Sequence, residues 1–233
     1  MAYDLWYWPT IPGRGEFVRL ALEAGKIAYR DRAREEGEDA LMKDLAARTE
    51  RGPFAPPYLV DGDFVIAQAP HICAWLGEKH GLASGNLATD LWLIQLQLTI
   101  ADAVAEAHNV HHPVALMATY EEQKAEAARA AQGFRDKRIP KFLKYFEQSL
   151  GGRDWFIDTK WTYVDLSLFQ LVEGLRYAFP RRMAAVEPDA PCVAALRDRV
   201  AALPELQDYF ASDRRIGFNE NGIFRHYPEL DGD

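Results

Sequence analysis

The stretch Phe54-Ala55-Pro56-Pro57-Tyr58-Leu59-Val60-Asp61-Gly62-Asp63-Phe64-Val65-Ile66-Ala67-Gln68-Ala69-Pro70 carries four structural signals in one short span. Successive prolines permit a cis peptide bond, because an X-Pro amide loses most of the trans preference of other bonds, and Pro57 is the candidate. The apolar runs on either side of Asp61-Gly62 predict a β-hairpin closed by a type I′ turn, since Asp-Gly tolerates positive φ. Pro70 has no N–H and a fixed φ, which suits the first turn of a helix. The order is thus Pro-Pro, strand, turn, strand, helix start, and the free N–H groups of a helix start attract carboxylates.

Toward the N-terminus, the aromatic run Tyr3 to Trp8 ends at Pro9 and predicts a first strand. A loop containing Gly13 and Gly15 follows it. From Glu16 the residues Phe17, Leu20, Ala21 and Ala24 form one helical face, with Gly25 placed to end the helix as its C′ residue, and Ile27 to Arg32 predict a second strand. Residues 35–53 carry a thin helical face of Leu41, Leu45 and Ala46. After Pro70, Ile72, Trp75 and Leu76 share a face and Gly81 closes the helix. Residues 1–82 therefore read as an α/β unit, βαβ followed by ββα, and residues 83–90 as a linker. Residues 91–233 read as all-helical. Ile94, Leu98, Ala101 and Ala105 recur at helical spacing up to a stop at Pro113. A charged helix from about Glu121 continues, past a break at Pro140, into Ile139, Phe142, Leu143, Phe146 and Leu150, and Gly151-Gly152 ends it. Thr162 and Asp165 have the spacing of a short capping box ahead of an apolar helix, with Trp161 able to pack on Leu166 as a staple. Leu196, Val200 and Leu203 mark a last helix before Pro204, and the tail from Asp213 reads as irregular.

The 233 residues are 48% apolar, enough for a sizeable core, and carry a net charge of −8, which argues against a nucleic-acid surface. The longest apolar runs fall short of the ~18 residues that span a bilayer. Met1-Ala2-Tyr3-Asp4 begins no secretory signal, so a cytoplasmic protein is expected. Cys73 and Cys192 are far apart and outside any metal-binding spacing, and two buried thiols are expected.

Taken in order, these residues resemble the cytosolic glutathione S-transferases over essentially the whole chain. Tyr7-Trp8-Pro9 resembles the first-strand end of the tyrosine-type classes (alpha, mu, pi and sigma). Pro57, Asp61-Gly62 and Gln68 keep the family's mutual spacing, Gly13-Arg14 resembles the start of its first helix, and Thr162-x-x-Asp165 resembles its buried-helix cap. The resemblance implies a thioredoxin-like domain followed by an all-helical one, assembled as a homodimer with one glutathione site per subunit.

The chemistry expected of such a site rests on Tyr7. A phenol with an ordinary pKa near 10 stays protonated at neutral pH and can donate a hydrogen bond to a thiolate, favouring ionisation of a thiol whose own pKa is near 8.5. A thiolate is the form of sulfur that attacks electrophilic carbon. No serine or cysteine precedes Cys73, so the other activating residues used in this superfamily are missing from the first helix. Tyr7 can also be read as one of an aromatic run packed under the helices. The resemblance further assigns Trp8, Arg14, Pro56, Pro57, Gln68 and Ala69 to glutathione binding, and Asp102 to the γ-glutamyl amine across the dimer interface. Ile11, His108 and His112 are expected to wall the electrophile pocket between the domains, together with Trp8, and the tail with Phe218 and Phe224 either to fold over it or to dock on the surface. Two departures stand out. Ala69 replaces a hydroxyl residue that would cap the helix and bond the γ-glutamyl carboxylate, and Pro56 has no N–H for main-chain pairing, so weakened glutathione binding is expected.

The leading expectation is a glutathione transferase acting on small hydrophobic electrophiles, with no metal. A non-catalytic ligand-binding protein and a glutathione-dependent isomerase or peroxidase are the alternatives within the same fold. His108, His111 and His112, at i, i+3 and i+4, raise a fourth reading, a metal held on one helical face.

Overall fold

The computed structural model describes residues 2–232. Strand β1 (Tyr3–Trp6), helix α1 (Gly15–Ala24) and strand β2 (Tyr29–Asp31) form a parallel βαβ unit, and β3 (Tyr58–Asp61) and β4 (Phe64–Ala67) add an antiparallel hairpin, giving the sheet order β2-β1-β3-β4. Successive strand residues point to opposite faces. Tyr3, Leu5, Leu59 and Ile66 therefore join the main core under α1 and α4 (Ala69–His80), while Trp6, Tyr58 and Val60 pack with Ala33 of α2 (Arg32–Glu36) and Leu41 of α3 (Glu38–Ala47). The remaining helices are α5 (Leu87–Asn109), α6 (Lys124–Gly133), α7 (Ile139–Leu150), α8 (Tyr163–Ala178), α9 (Pro180–Val186), α10 (Pro191–Ala201) and α11 (Pro204–Phe210). This is a thioredoxin-like sheet unit followed by an all-helical one. No helix among the described residues is long and apolar enough to cross a membrane.

Helix α8 is the centre of the helical part. Every residue from Tyr163 to Val172 is buried, as its all-round apolar sequence requires. The Thr162 side chain accepts the Val164 N–H, and the Asp165 carboxylate accepts the Thr162 N–H and hydroxyl, both at 2.7 Å, and the Phe156 N–H at 3.0 Å. Burial pushes the Asp165 pKa up to about 6, against the pull of these donors.

Several local expectations are corrected. The hairpin pairs Asp61 with Phe64, so its two turn residues are Gly62 and Asp63, and of these Gly62 alone has positive φ (62°). Type I′ needs positive φ at both, so the turn has the glycine-first pattern of type II′ instead. Gly25 is right-handed (φ −75°), and the left-handed residue that ends α1 is Lys26 (φ 52°). The Ile27 N–H to Leu22 O and Lys26 N–H to Glu23 O bonds complete a Schellman motif. Glycine is needed at 25 for space, since a Cβ there would lie 2.9 Å from Ala21 O. Pro140 does not interrupt the chain between α6 and α7. It sits in the first turn of α7, after a π-helical turn over Phe134–Arg138. Ala46 is exposed and Cys192 only half-buried, while Cys73 is fully buried. Helices α9 and α11, each opened by a proline, were not anticipated.

The largest correction concerns α5. Ile94 and Leu98, read as its core face, are 38% and 51% exposed, and Leu87 and Leu91 on the same side are also exposed. The face packed inward is Leu93, Leu96, Gln97, Ile100, Ala103, Val104 and Ala107. Both faces are apolar, so helical period alone could not choose between them.

Candidate active site

Tyr7 follows β1 directly, and its placement is a backbone construction. The hydroxyl accepts the Arg14 N–H at 2.9 Å, and the loop wraps closely around the ring. A Cβ on Gly13 would lie 2.1 Å from the phenolic oxygen, and one on Gly15 would lie 2.5 Å from the ring. The phenol is 3% exposed and its pKa is raised by burial, against smaller opposing effects of Arg14 and Arg19. It is therefore protonated at neutral pH, and among the described residues its proton has no acceptor. The donor is free for an incoming group.

Beneath this loop lies a buried ionic network. Arg19 is fully buried, with its guanidinium 5.9 Å from the Tyr7 ring centre, and pairs with Asp31 at 2.7 Å and Glu16 at 3.5 Å. Glu16, also fully buried, accepts the Tyr209 hydroxyl and an Arg215 N–H, both at 2.7 Å. Arg215 in turn donates to Gln170 at 3.1 Å. The charges of α1 are thereby tied to α8, to α11 and to the chain after it, which fixes the Tyr7 loop against the helical part.

At the start of α4, Gln68 is exposed with φ 70°, and no side chain caps the helix. The Ile72 N–H bonds Gln68 O at 2.9 Å and Pro70 has no N–H, so the Ala69 and His71 N–H groups are the donors left at this end. Arg14, half-buried and without a carboxylate partner among the described residues, lines a crevice of about 30 Å³ with Phe17, Ala69, Pro70 and Gln97. Gln97 is 3% exposed and its Oε1 has no partner. A buried, unpartnered amide oxygen on a residue that lines the same crevice as Arg14 and the start of α4 is a polar feature that sequence reading missed. Its signal was a lone amide within the buried stripe Leu93, Leu96, Ile100.

The Pro56-Pro57 bond is cis. Pro57 is buried and Pro56 half-buried beside β3. Trp8 turns away from Tyr7 and packs on the α2–α3 side of the sheet, with the Trp6 and Tyr58 cluster. Asp102 is exposed on α5 and forms no hydrogen bond or ion pair within the described chain.

His108 and His112 line an open cleft of about 610 Å³ with Met117, Tyr120, Arg225 and Tyr227. Ile11, half-buried, is not among its lining residues, and neither is Trp8. The three histidines do not share a helical face, because α5 ends at Asn109 and His111 and His112 lie beyond it. Their rings touch one another, with centres 4.7–5.3 Å apart, and bond to the backbone: His111 Nε2 with Ile223 O at 2.8 Å, His112 Nδ1 with Ala118 O at 3.0 Å. Burial holds the pKa of His108 down to about 4 and that of His111 to about 3, so both are neutral. Among the described residues no group of three or more His, Cys, Asp or Glu is arranged to hold a metal. The tail lies across this region. Asn219 donates to Thr10 O at 3.0 Å, Phe218 stacks on Tyr177, and Phe224 is buried on Gly174 of α8, where a Cβ would meet its ring at 2.3 Å.

Two solved structures superpose on nearly the whole chain. A Pi-class glutathione S-transferase of Onchocerca volvulus matches with a TM-score of 0.74 and 22% identity over 95% of this chain and 99% of its own. A prostaglandin synthase D of Nilaparvata lugens matches at 0.72 and 18%, over 93% and 100%. The fold is that of the glutathione S-transferases. Residues 108–213 also match the family model of the glutathione S-transferase C-terminal domain. Glutathione S-transferase Mu 3 of Mus musculus is 28% identical over 92% of this chain and 93% of its own, and Mu 2 of Rattus norvegicus is 27% identical over the same shares. These relatives are similar to the chain over nearly its whole length, and the matched family model lies in its helical part.

Proposed function

We propose that the protein is a glutathione transferase of the tyrosine type, whose residues 1–82 hold glutathione and whose residues 91–233 supply the electrophile wall. The observation that carries this reading is the Tyr7 hydroxyl, held by the Arg14 N–H at 2.9 Å with its own proton unspent. Donated to the glutathione sulfur, that proton stabilises the thiolate, and each unit by which the thiol pKa falls corresponds to about 1.4 kcal/mol. The thiolate attacks the electrophilic carbon, the leaving group departs with its electron pair, and the thiol proton passes to solvent. The N–H groups of Ala69 and His71, the Arg14 guanidinium and the Gln97 oxygen suit the γ-glutamyl carboxylate and ammonium, with Gln68, Pro56 and Pro57 along the tripeptide backbone and Trp8 at the edge of the Tyr7 loop. The Gln97 oxygen, an acceptor, suits the ammonium, while the donors suit the carboxylate.

We assign the exposed apolar side of α5, Leu87, Leu91, Ile94 and Leu98, to a homodimer interface. Asp102, further along the same helix, would then face the partner's site. Turnover of glutathione with a neutral aryl halide is expected and should fall at least tenfold in Tyr7→Phe, with the pH profile of kcat/KM moving to higher pH. Unchanged turnover and profile would remove Tyr7 from the mechanism. Calorimetry that finds no glutathione binding at millimolar concentration would favour a non-catalytic binding protein instead.

A further inference from the structure

The half-buried Arg225 is set into the cleft by the tail, and its charge is not neutralised there. Its Nε donates to Gly222 O at 2.8 Å and one terminal nitrogen makes a long 3.5 Å bond to Asn221 O, with no carboxylate in ion-pair range among the described residues. The carboxylates nearby are already engaged. Glu121, on the cleft wall, pairs with Lys124 at 2.7 Å, and Glu229 accepts the Tyr120 hydroxyl at 2.9 Å. His108 and His112 contribute dipoles without charge, and Arg14 and Arg225 both act on the His108 ring, holding its pKa down together with burial. Arg14, one of the charges that act on His108, also donates its backbone N–H to the Tyr7 hydroxyl at 2.9 Å. On its other side Tyr120 and Tyr227 stack with ring centres 3.9 Å apart, next to the exposed Leu116 and Met117. In a chain of net charge −8, this is an aromatic-walled recess that holds an arginine with no ion-pair partner among the described residues.

Resting on the glutathione-transfer reading, we propose that this cleft selects aromatic electrophiles carrying an anionic group, a carboxylate being the simplest, and that Arg225 is the residue that recognises the anion. Charge-assisted bonds from a guanidinium to a carboxylate are short, strong and directional, and an aryl ring packs against the tyrosine pair. The anion takes the outer end of the cleft and leaves the electrophilic carbon toward Tyr7. For an aryl halide the sulfur–carbon bond forms, the carbon–halogen bond breaks with its electron pair, and halide leaves.

The test compares 4-chloro-3-nitrobenzoate with its neutral isostere 4-chloro-3-nitrobenzamide in the full-length wild type, Arg225→Gln and Arg225→Lys. The ratio of the two kcat/KM values, set against the wild-type ratio so that intrinsic reactivity cancels, should fall about tenfold in Arg225→Gln, the loss expected when one charge-assisted bond is removed. Arg225→Lys should keep most of the preference, and unchanged melting of both variants separates recognition from folding. Calorimetry without glutathione, with 3-nitrobenzoate and 3-nitrobenzamide, reads binding independently of turnover. If both chlorides turn over but the ratio is the same in wild type and Arg225→Gln, the anion assignment is overturned and the transferase reading stands. If neither turns over yet the benzoate binds preferentially and only with Arg225 present, the transferase reading fails and the cleft assignment stands. Absence of both turnover and binding preference overturns both.

Discussion

Replacing Gly13 with alanine adds one methyl group at the most crowded point of the candidate site. Two costs follow. The residue has φ 42°, and an L-residue held in left-handed backbone costs roughly 1–2 kcal/mol, which for a chain of this size lowers Tm by about 2–8 °C. The second cost is local: the new Cβ would lie 2.1 Å from the Tyr7 oxygen, whereas real contacts stay above 3.0 Å. Either the loop or the phenol must move by about 1 Å, and a displacement of that size in a catalytic group costs about a hundredfold in rate. Turnover should therefore fall about a hundredfold while Tm changes by only a few degrees. Gly62→Ala is the control: its φ is 62° with nothing within 4 Å, so it should lose similar stability without the loss of rate. Removing the hydroxyl relieves the closest contact but leaves the next at 2.8 Å, so Gly13→Ala should cost less in a Tyr7→Phe background than in wild type. Turnover of Gly13→Ala within threefold of wild type, or equal rate losses for Gly13→Ala and Gly62→Ala, would refute the claim that the backbone of this loop positions the phenol.

Asp165→Ala strips the acceptor from two buried backbone N–H groups, those of Phe156 and Thr162, at ~1–3 kcal/mol each, and chemical denaturation should show it less stable than Thr162→Ala, which loses a single cap of ~1 kcal/mol. The Asp165 pKa is about 6 when folded against an ordinary value of 3.8, so the folded state keeps a proton that the unfolded state releases. Its contribution to stability is full below pH ~4, falls as pH rises to ~6, and amounts to ~3 kcal/mol. The penalty of Asp165→Asn relative to wild type should accordingly be greater at pH 4.5 than at pH 7, and an equal penalty would count against the raised pKa. Gln97→Leu, which removes the unpartnered amide from the crevice, should weaken glutathione binding about tenfold by calorimetry with kcat little altered; unchanged affinity would take Gln97 out of the γ-glutamyl site. A charge at the C-terminal end of the exposed α5 stripe, Leu98→Glu, should yield monomers in sedimentation velocity, and a persistent dimer would move the interface elsewhere.

What was legible in the sequence was what short-range chemistry decides. The Thr162-x-x-Asp165 cap, the Pro57 cis bond, the hairpin around Gly62 and the glycine that ends α4 each depend on a few neighbouring residues, and each is where the sequence puts it. The turn type and the Gly25–Lys26 helix end were misread because they hinge on which of two adjacent residues takes positive φ. The glycine stands at 25, where a Cβ would lie 2.9 Å from Ala21 O, and Lys26 takes the left-handed conformation. The orientation of α5 was beyond period analysis, since Leu93 and Ile94 start two equally apolar stripes and contact with α8 decides which one is buried. The histidine cluster was misjudged for a related reason: helical spacing was carried past Asn109, where the helix stops. Arg225 had no local signal, because only the return of the tail over α5 brings a residue so distant in sequence beside His108.

The candidate site is consequently built by two different means, with different tolerance to change. Around Tyr7 the geometry is set by main chain: the Arg14 N–H, the absence of side chains at Gly13 and Gly15, and the N–H groups at the start of α4. The cleft is set by side chains from α5, from the segment after it and from the tail, whose hold depends on the His111–Ile223 bond and on Phe224 fitting over Gly174. The first kind of geometry resists most substitutions and fails at the glycines. The second can be re-lined one residue at a time, because exchanging Arg225, Met117 or His112 leaves the phenol and its backbone donor where they are. On the proposed reading, a scaffold divided in this way keeps thiolate chemistry constant while the electrophile changes, and the identity of the electrophile is written in the cleft and tail and not in the stretch from Phe54 to Pro70.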